Sequence, residues 1–279
     1  MRSGVVLSAS VVALVVLSTA SGSRTTIPGK ALYPNAVAFA DRMHGALAMG
    51  EPGSRRGTIE LTSDGGLTWR VVLRTRRPVV KVAAAGRRQW YAKLQNGETL
   101  RSVDAGHHWA RTSAHIWGAD STCGTYCGAG IRATPADPTW TLSTTQPGAG
   151  AQGKAVYRKL NGRWKRVACT NFDGSRFFCR RASYGGIGGY GYAIGIAGNT
   201  SGFGLIWEGR GVLYATRDGG RHWSIAKAGE VSDVDFANWA SVIPRGGVGF
   251  VLFQNAGVRV RLVETTNAGR TWHVVHRWR

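Results

Sequence analysis

Short apolar runs alternate with turn residues along nearly the whole chain, and no long stretch keeps an apolar stripe at helical period. Gly57-Thr-Ile-Glu-Leu-Thr62 and Gly211-Val-Leu-Tyr-Ala-Thr216 are rich in strand formers, as are Trp69-Arg-Val-Val-Leu73 and Trp272-His-Val-Val275. Between such runs one eight-residue motif occurs four times. Its copies are Thr62-Ser-Asp-Gly-Gly-Leu-Thr-Trp69, Ser102-Val-Asp-Ala-Gly-His-His-Trp109, Thr216-Arg-Asp-Gly-Gly-Arg-His-Trp223 and Thr265-Thr-Asn-Ala-Gly-Arg-Thr-Trp272. Repetition on this scale predicts an architecture of similar modules set side by side.

Each copy reads as a hairpin turn that holds itself together. Asp64, Asp104, Asp218 and Asn267 are placed to accept backbone N–H bonds of their own turns. The glycine two residues on (Gly66, Gly106, Gly220, Gly269) can take the positive φ such a turn needs. Trp69, Trp109, Trp223 and Trp272 each have a large ring to bury against a neighbouring repeat. A carboxylate engaged by its own turn is a poor catalyst or metal ligand, so these positions are read as structural.

The motif Ser/Thr-x-Asp/Asn-x-Gly-x-x-Trp resembles that of the Asp-box, or BNR-repeat, β-propellers. That family includes sialidases, sortilin-type receptor domains, some glucan hydrolases and the photosystem II assembly factor type. Residues 36–73 look like a blade of the last subgroup throughout: Ala36-Val-Ala-Phe-Ala40, Gly45-Ala-Leu-Ala-Met-Gly50, then the motif and its closing strand. The resemblance implies an all-β propeller. It does not bring the subgroup's photosynthetic role with it, because one fold hosts many functions.

Midway between Asp104 and Asp218 lies Asn161, inside Val156-Tyr-Arg-Lys-Leu-Asn-Gly-Arg-Trp-Lys-Arg-Val167. This stretch reads as strand, Asn-Gly turn, strand, with Trp164 near the motif-Trp position, and so as a degenerate fifth hairpin. Five four-stranded blades are therefore expected, at roughly 36–73, 78–112, 128–168, 186–227 and 231–276, in one domain over 36–279. A sixth blade hidden in a long loop is the alternative. A closed ring would protect the sheet edges.

Residues 1–20 carry Arg2, an apolar stretch to Leu17 and Ser18-Thr-Ala20, which reads as a secretory signal peptide; residues 21–35 form a lead-in. The expected location is thus outside the cytoplasm, secreted or associated with the cell wall. There disulfides are the default for Cys123, Cys127, Cys169 and Cys179, with all three pairings open. A zinc site is the rival reading of the four thiols, and no cofactor is expected. Lys and Arg number 36 against 15 Asp and Glu, a formal charge of +21. Such an excess suits an anionic partner, although a basic surface evenly spread over the molecule is the plain alternative.

With the motif turns on one face of the ring, the loops 50–57, 73–79, 113–129, 145–154, 169–186 and 207–211 must open on the other. Rigidly carried loops are where binding residues collect. The candidates are Arg55, Arg56, Arg74, Arg76 and Arg77, with His115, Trp117, Arg176, Arg180 and Arg181 on the two cysteine-bearing loops. Aromatics beside arginines suit sugar rings or anions. The expected function is a non-enzymatic, monomeric binding or scaffold module for a partner protein or an anionic polysaccharide or wall polymer, with contact to a membrane surface a further prospect. Specific nucleic-acid binding is not expected, for no recognised module is present.

The rival is an exo-sialidase or other glycoside hydrolase. A sialidase needs three arginines, a Tyr–Glu pair and an Asp acid/base; the nearest approach to its early Arg-Ile-Pro motif is Arg24-Thr-Thr-Ile27-Pro28, which misplaces the Arg. Carboxylates expected on the loop face are Glu51, Asp120, Asp173 and Glu208, and nothing in their spacing pairs any two.

Overall fold

The computed structural model describes residues 32–51, 53–114, 139–144, 152–171, 179, 183–187, 193–208, 212–226, 235–255 and 259–278. Among them the chain forms β-strands and turns only, in five four-stranded antiparallel sheets. The first holds β1 (Pro34–Phe39), β2 (Gly45–Gly50), β3 (Gly57–Thr62) and β4 (Arg70–Thr75), and the second β5 (Val79–Ala84), β6 (Trp90–Leu94), β7 (Thr99–Ser102) and β8 (Ala110–Thr112). The third holds β9 (Trp140–Thr144), β10 (Lys154–Leu160), β11 (Arg163–Thr170) and β12 (Ser183–Tyr184), and the fourth β13 (Ala193–Gly198), β14 (Gly204–Glu208), β15 (Leu213–Thr216) and β16 (Ser224–Ile225). The fifth holds β17 (Asp235–Val242), β18 (Gly249–Asn255), β19 (Val260–Thr265) and β20 (His273–Trp278). Consecutive strands are neighbours in every sheet, which is the order of propeller blades.

In the first sheet β2 is buried throughout, whereas every position of β4, and of β20 in the fifth, is exposed or half-buried. Apolar side chains fill the spaces between sheets. Ala36, Ile59, Val82 and Trp90 share one cluster between the first and second sheets, and Leu205, Trp207, Val251 and Phe253 another between the fourth and fifth. Trp239 on β17 packs against three of these clusters and ties them together.

The last sheet closes on the first through side chains. Phe39 stacks on Phe250 at 3.5 Å between ring centroids, Trp69 lies against Trp278, and Ser241 Oγ accepts the Phe39 N–H. Arg42 forks onto Glu264, with Nε 2.7 Å from Oε1, and His273 Nε2 lies 2.9 Å from Oε2.

All four motif turns have one geometry. In the first, Thr62 Oγ1 donates to Asp64 Oδ1 at 2.7 Å and accepts the Gly66 N–H at 2.9 Å, while Asp64 accepts the Thr68 N–H and hydroxyl. Ser102 with Asp104, Thr216 with Asp218 and Thr265 with Asn267 repeat this network. The second glycine is required twice over. Gly106 has φ of 85°, and a Cβ on it would lie 2.3 Å from Leu61 of the preceding sheet.

A feature beyond the sequence reading sits one residue earlier. Gly65, Ala105, Gly219 and Ala268 are also left-handed, and each donates its N–H to the turn between the first two strands of its own sheet: to Met43, Arg88, Gly202 and Gly247 carbonyls respectively. In these four sheets the two turns are thereby stapled together.

The third sheet departs from the pattern. Val167 Cγ2 on β11 lies beneath motif residue Gly220 of the next sheet, as Val72 on β4 lies beneath Gly106. Each valine is three residues past a tryptophan, Trp164 and Trp69. Trp140 at the start of β9 meets Trp223 edge-on, and the Arg158 guanidinium lies over Trp140 beside Gly219. The Asn161-Gly162 turn therefore shares the motif face, and β9, β10 and β11 stand where second, third and fourth strands stand elsewhere. The short β12 pairs outside β11, beyond the expected end at 168. The first strand expected near 128 lies outside the described residues.

Candidate functional site

On the face opposite the motif turns, the arginines of two loops meet in a groove between the first and second sheets. Its volume is about 690 Å³, and Arg55, Leu73, Arg74, Thr75, Arg76, Arg77, Leu94, Glu98, Leu100, Trp109 and Arg111 line it. The loops converge because Gly57 allows it: a Cβ there would lie 2.5 Å from the Arg77 carbonyl. Thr75 Oγ1 donates to that same carbonyl at 2.5 Å. Asn35, at a bulge in β1, donates its amide to the Gly50 and Val79 carbonyls and fixes both sheets at this end. Gly53 N–H reaches Gln95 Oε1 at 3.3 Å, tying the Arg55 loop to the second sheet.

The floor is apolar. Leu94 and Leu100 are buried, Leu73 and Trp109 half-buried, and the Trp109 indole donates to the Gly106 carbonyl at 3.1 Å. The rim is cationic, with Arg55, Arg74, Arg76, Arg77 and Arg111 all exposed. Glu98 is the one carboxylate among the lining residues, and Arg111 Nε holds its Oε1 at 2.5 Å. Planar guanidinium forks over an apolar floor recognise carboxylate, sulfate or phosphate groups borne on a partly apolar body. A lone carboxylate held by an arginine offers no pair for acid–base hydrolysis.

The structure thus brings Arg55, Arg74, Arg76 and Arg77 together and leaves Arg56 exposed outside the lining. His115, Trp117, Arg176, Arg180, Arg181, Cys123 and Cys127 lie outside the described residues, as do Asp120 and Asp173. Sequence reasoning missed Arg111 and Glu98. Arg111 is two residues past Trp109, on a strand whose outward side was legible, but its approach to the neighbouring sheet depends on packing.

Cys169 and Cys179 form a disulfide, which decides between the open pairings for these two and removes them as thiolate ligands. Asn171 bridges the same loop, its amide donating to the Cys179 carbonyl and its Oδ1 accepting the Cys179 N–H. Glu208, expected on the open loop face, is instead fully buried, with its Oε1 accepting from Lys154 Nζ and its Oε2 without a hydrogen-bond partner. Burial pushes the Glu208 carboxyl up and the Lys154 ammonium down, each opposed by the other's charge.

No protein-family model matches the chain, and no curated protein matches it. Among solved structures it is similar to YCF48 bound to D1 peptide, at 15% identity and a TM-score of 0.39 over 85% of this chain and 78% of that one. YCF48 from Cyanidioschyzon merolae gives 15% identity and a TM-score of 0.32 over 87% and 71%. The Cps50 (Swd1) β-propeller domain of Myceliophteria thermophila gives 9% identity and 0.39 over 82% of each chain.

Proposed function

We propose that this chain is an exported, non-enzymatic β-propeller that binds an anionic polymer, glycan or acidic partner protein in the arginine groove between its first and second sheets. The motif turns make it an Asp-box propeller on this reading, and the signal-like residues 1–20 support export. The observation that carries the proposal is the convergence of Arg55, Arg74, Arg76, Arg77 and Arg111 on one groove whose single acid is already paired. Binding of soluble polygalacturonate and of a glycerol-phosphate wall polymer, measured by calorimetry, tests it. Reversing Arg74, Arg76 and Arg77 together to Glu should weaken binding by about tenfold or more without lowering the melting temperature. Reversing Arg217 and Arg221, on the motif face, should matter much less. Affinity should fall with salt, because exposed charges are screened beyond about 10 Å at 0.1 M ionic strength. Equal losses from both variants would assign the binding to diffuse charge, and turnover of a fluorogenic sialoside that Glu98→Gln abolishes would replace this reading by a hydrolase.

A further inference from the structure

The motif face carries a second kind of surface, independent of the groove. Two large apolar side chains are exposed there: Met43 is 46% exposed and Leu67 is 60% exposed. The backbone is held at both. The Met43 carbonyl accepts the Gly65 N–H, and Leu67 stands between Gly66 and Thr68, both locked by the Thr62–Asp64 network. His276 Nδ1 also lies 2.9 Å from the Leu67 carbonyl. Val103, 56% exposed, occupies the next motif turn.

At the place of Leu67 the later motif turns carry His107, Arg221 and Arg270, all exposed. The same face adds exposed Arg88, Arg217 and Arg245. Among the described residues its carboxylates are already engaged: Asp41 by Arg87 and His44, Glu264 by Arg42 and His273, and Asp64, Asp104 and Asp218 by their own turns. Desolvation lowers the Arg217 guanidinium, and the charge of Arg270 pushes it the same way.

We propose that the motif face docks on an anionic phospholipid surface, with Met43, Leu67 and Val103 entering the headgroup layer and Arg88, Arg217, Arg221, Arg245 and Arg270 meeting phosphates. A soluble anion would use the arginines but gain nothing from rigid apolar tips, whereas an interface that is anionic outside and apolar beneath uses both. Among the described residues no helix is long and apolar enough to cross a membrane.

Co-sedimentation with phosphatidylglycerol-containing and pure phosphatidylcholine vesicles tests it. The full chain should bind the first and not the second. Met43→Asp with Leu67→Asp should lower binding about tenfold with the melting temperature unchanged, and Leu67→Ser should lower it less. Arg217→Glu with Arg270→Glu should do likewise and flatten the salt dependence. The Arg74, Arg76 and Arg77 reversal should leave vesicle binding intact, so failure here is separable from failure of the groove. Absence of vesicle binding, indifference to the two Asp substitutions, or an equal loss of polyglutamate binding on making them, the mark of an acidic protein partner, would overturn the proposal.

Discussion

The motif carboxylates are held by hydrogen bonds that only the ionised form accepts in full. Burial works to raise the Asp64 carboxyl, yet bonds from Thr68 and Thr62 outweigh it and hold it at about 2. Asp218 is also held at about 2, burial again being opposed, here by His222 and Thr216. The backbone and side chain of His108, with Ser102, hold Asp104 lower still. An unfolded aspartate titrates near 3.9. The folded state therefore binds these protons less tightly, and the stabilisation is complete above about pH 4 and lost as pH falls through about 2. Asp64→Ala and Asp218→Ala should each cost about 1–3 kcal/mol at pH 7 by leaving turn N–H groups unpaired. Asp64→Asn should cost less, since Asn267 keeps the same backbone contact. Urea denaturation at pH 7 and pH 3 checks this: the deficit of Asp64→Asn should shrink at pH 3, and an undiminished deficit would mean that its charge is irrelevant. Ala105 has φ of 61° and Ala268 of 58°. Relief of that backbone outweighs or matches the added freedom of the unfolded chain, so Ala105→Gly should be neutral to about 1 kcal/mol stabilising. A fall in melting temperature would refute this.

Among elements, the strands and motif hairpins were the most legible part of the chain, because their information is local: Asp, Gly and Trp at fixed offsets specify one turn. Even the degenerate hairpin at Asn161-Gly162 could be found, since it lies midway between Asp104 and Asp218 and carries Trp164 near the motif-Trp position. The Lys154–Glu208 contact could not. Each residue ends a strand of a different sheet, and only the packing of the third sheet on the fourth makes them meet. The arginine groove stands between these cases, its loops readable from alternation and the depth of its floor not. The buried pair also makes a prediction about the interface. Lys154→Met alone should destabilise by about 3–5 kcal/mol, because it strands a buried carboxylate. Lys154→Met with Glu208→Leu should recover most of that loss, since burial opposes both charges. Additive losses in a double-mutant cycle would show that the two residues act separately.

For the molecule as a whole, the charge of +21 sets a cost that the sheets must overcome. Its arginines stand on both faces: the groove arginines on one, Arg217, Arg221, Arg245 and Arg270 on the other. Compaction brings these like charges nearer than the unfolded chain does, so self-repulsion opposes folding. The exposed ion pairs, such as Arg87 with Asp41 and Arg111 with Glu98, each contribute about 1 kcal/mol or less. Salt weakens both effects over the same distance, about 30 Å at 0.01 M and 8 Å at 0.15 M ionic strength. Repulsion among many cations is the longer-ranged and more numerous of the two, so it should dominate the response. Thermal unfolding should therefore shift upward when ionic strength rises from about 0.01 to 0.15 M. The shift should be larger at pH 3 than at pH 7, because protonating carboxylates leaves the arginines less compensated. It should be smaller in the Arg74, Arg76 and Arg77 reversal, which removes three of the groove cations. A melting temperature that falls with salt would mean that the few ion pairs, and not the crowded guanidinium groups, govern the electrostatics of this fold.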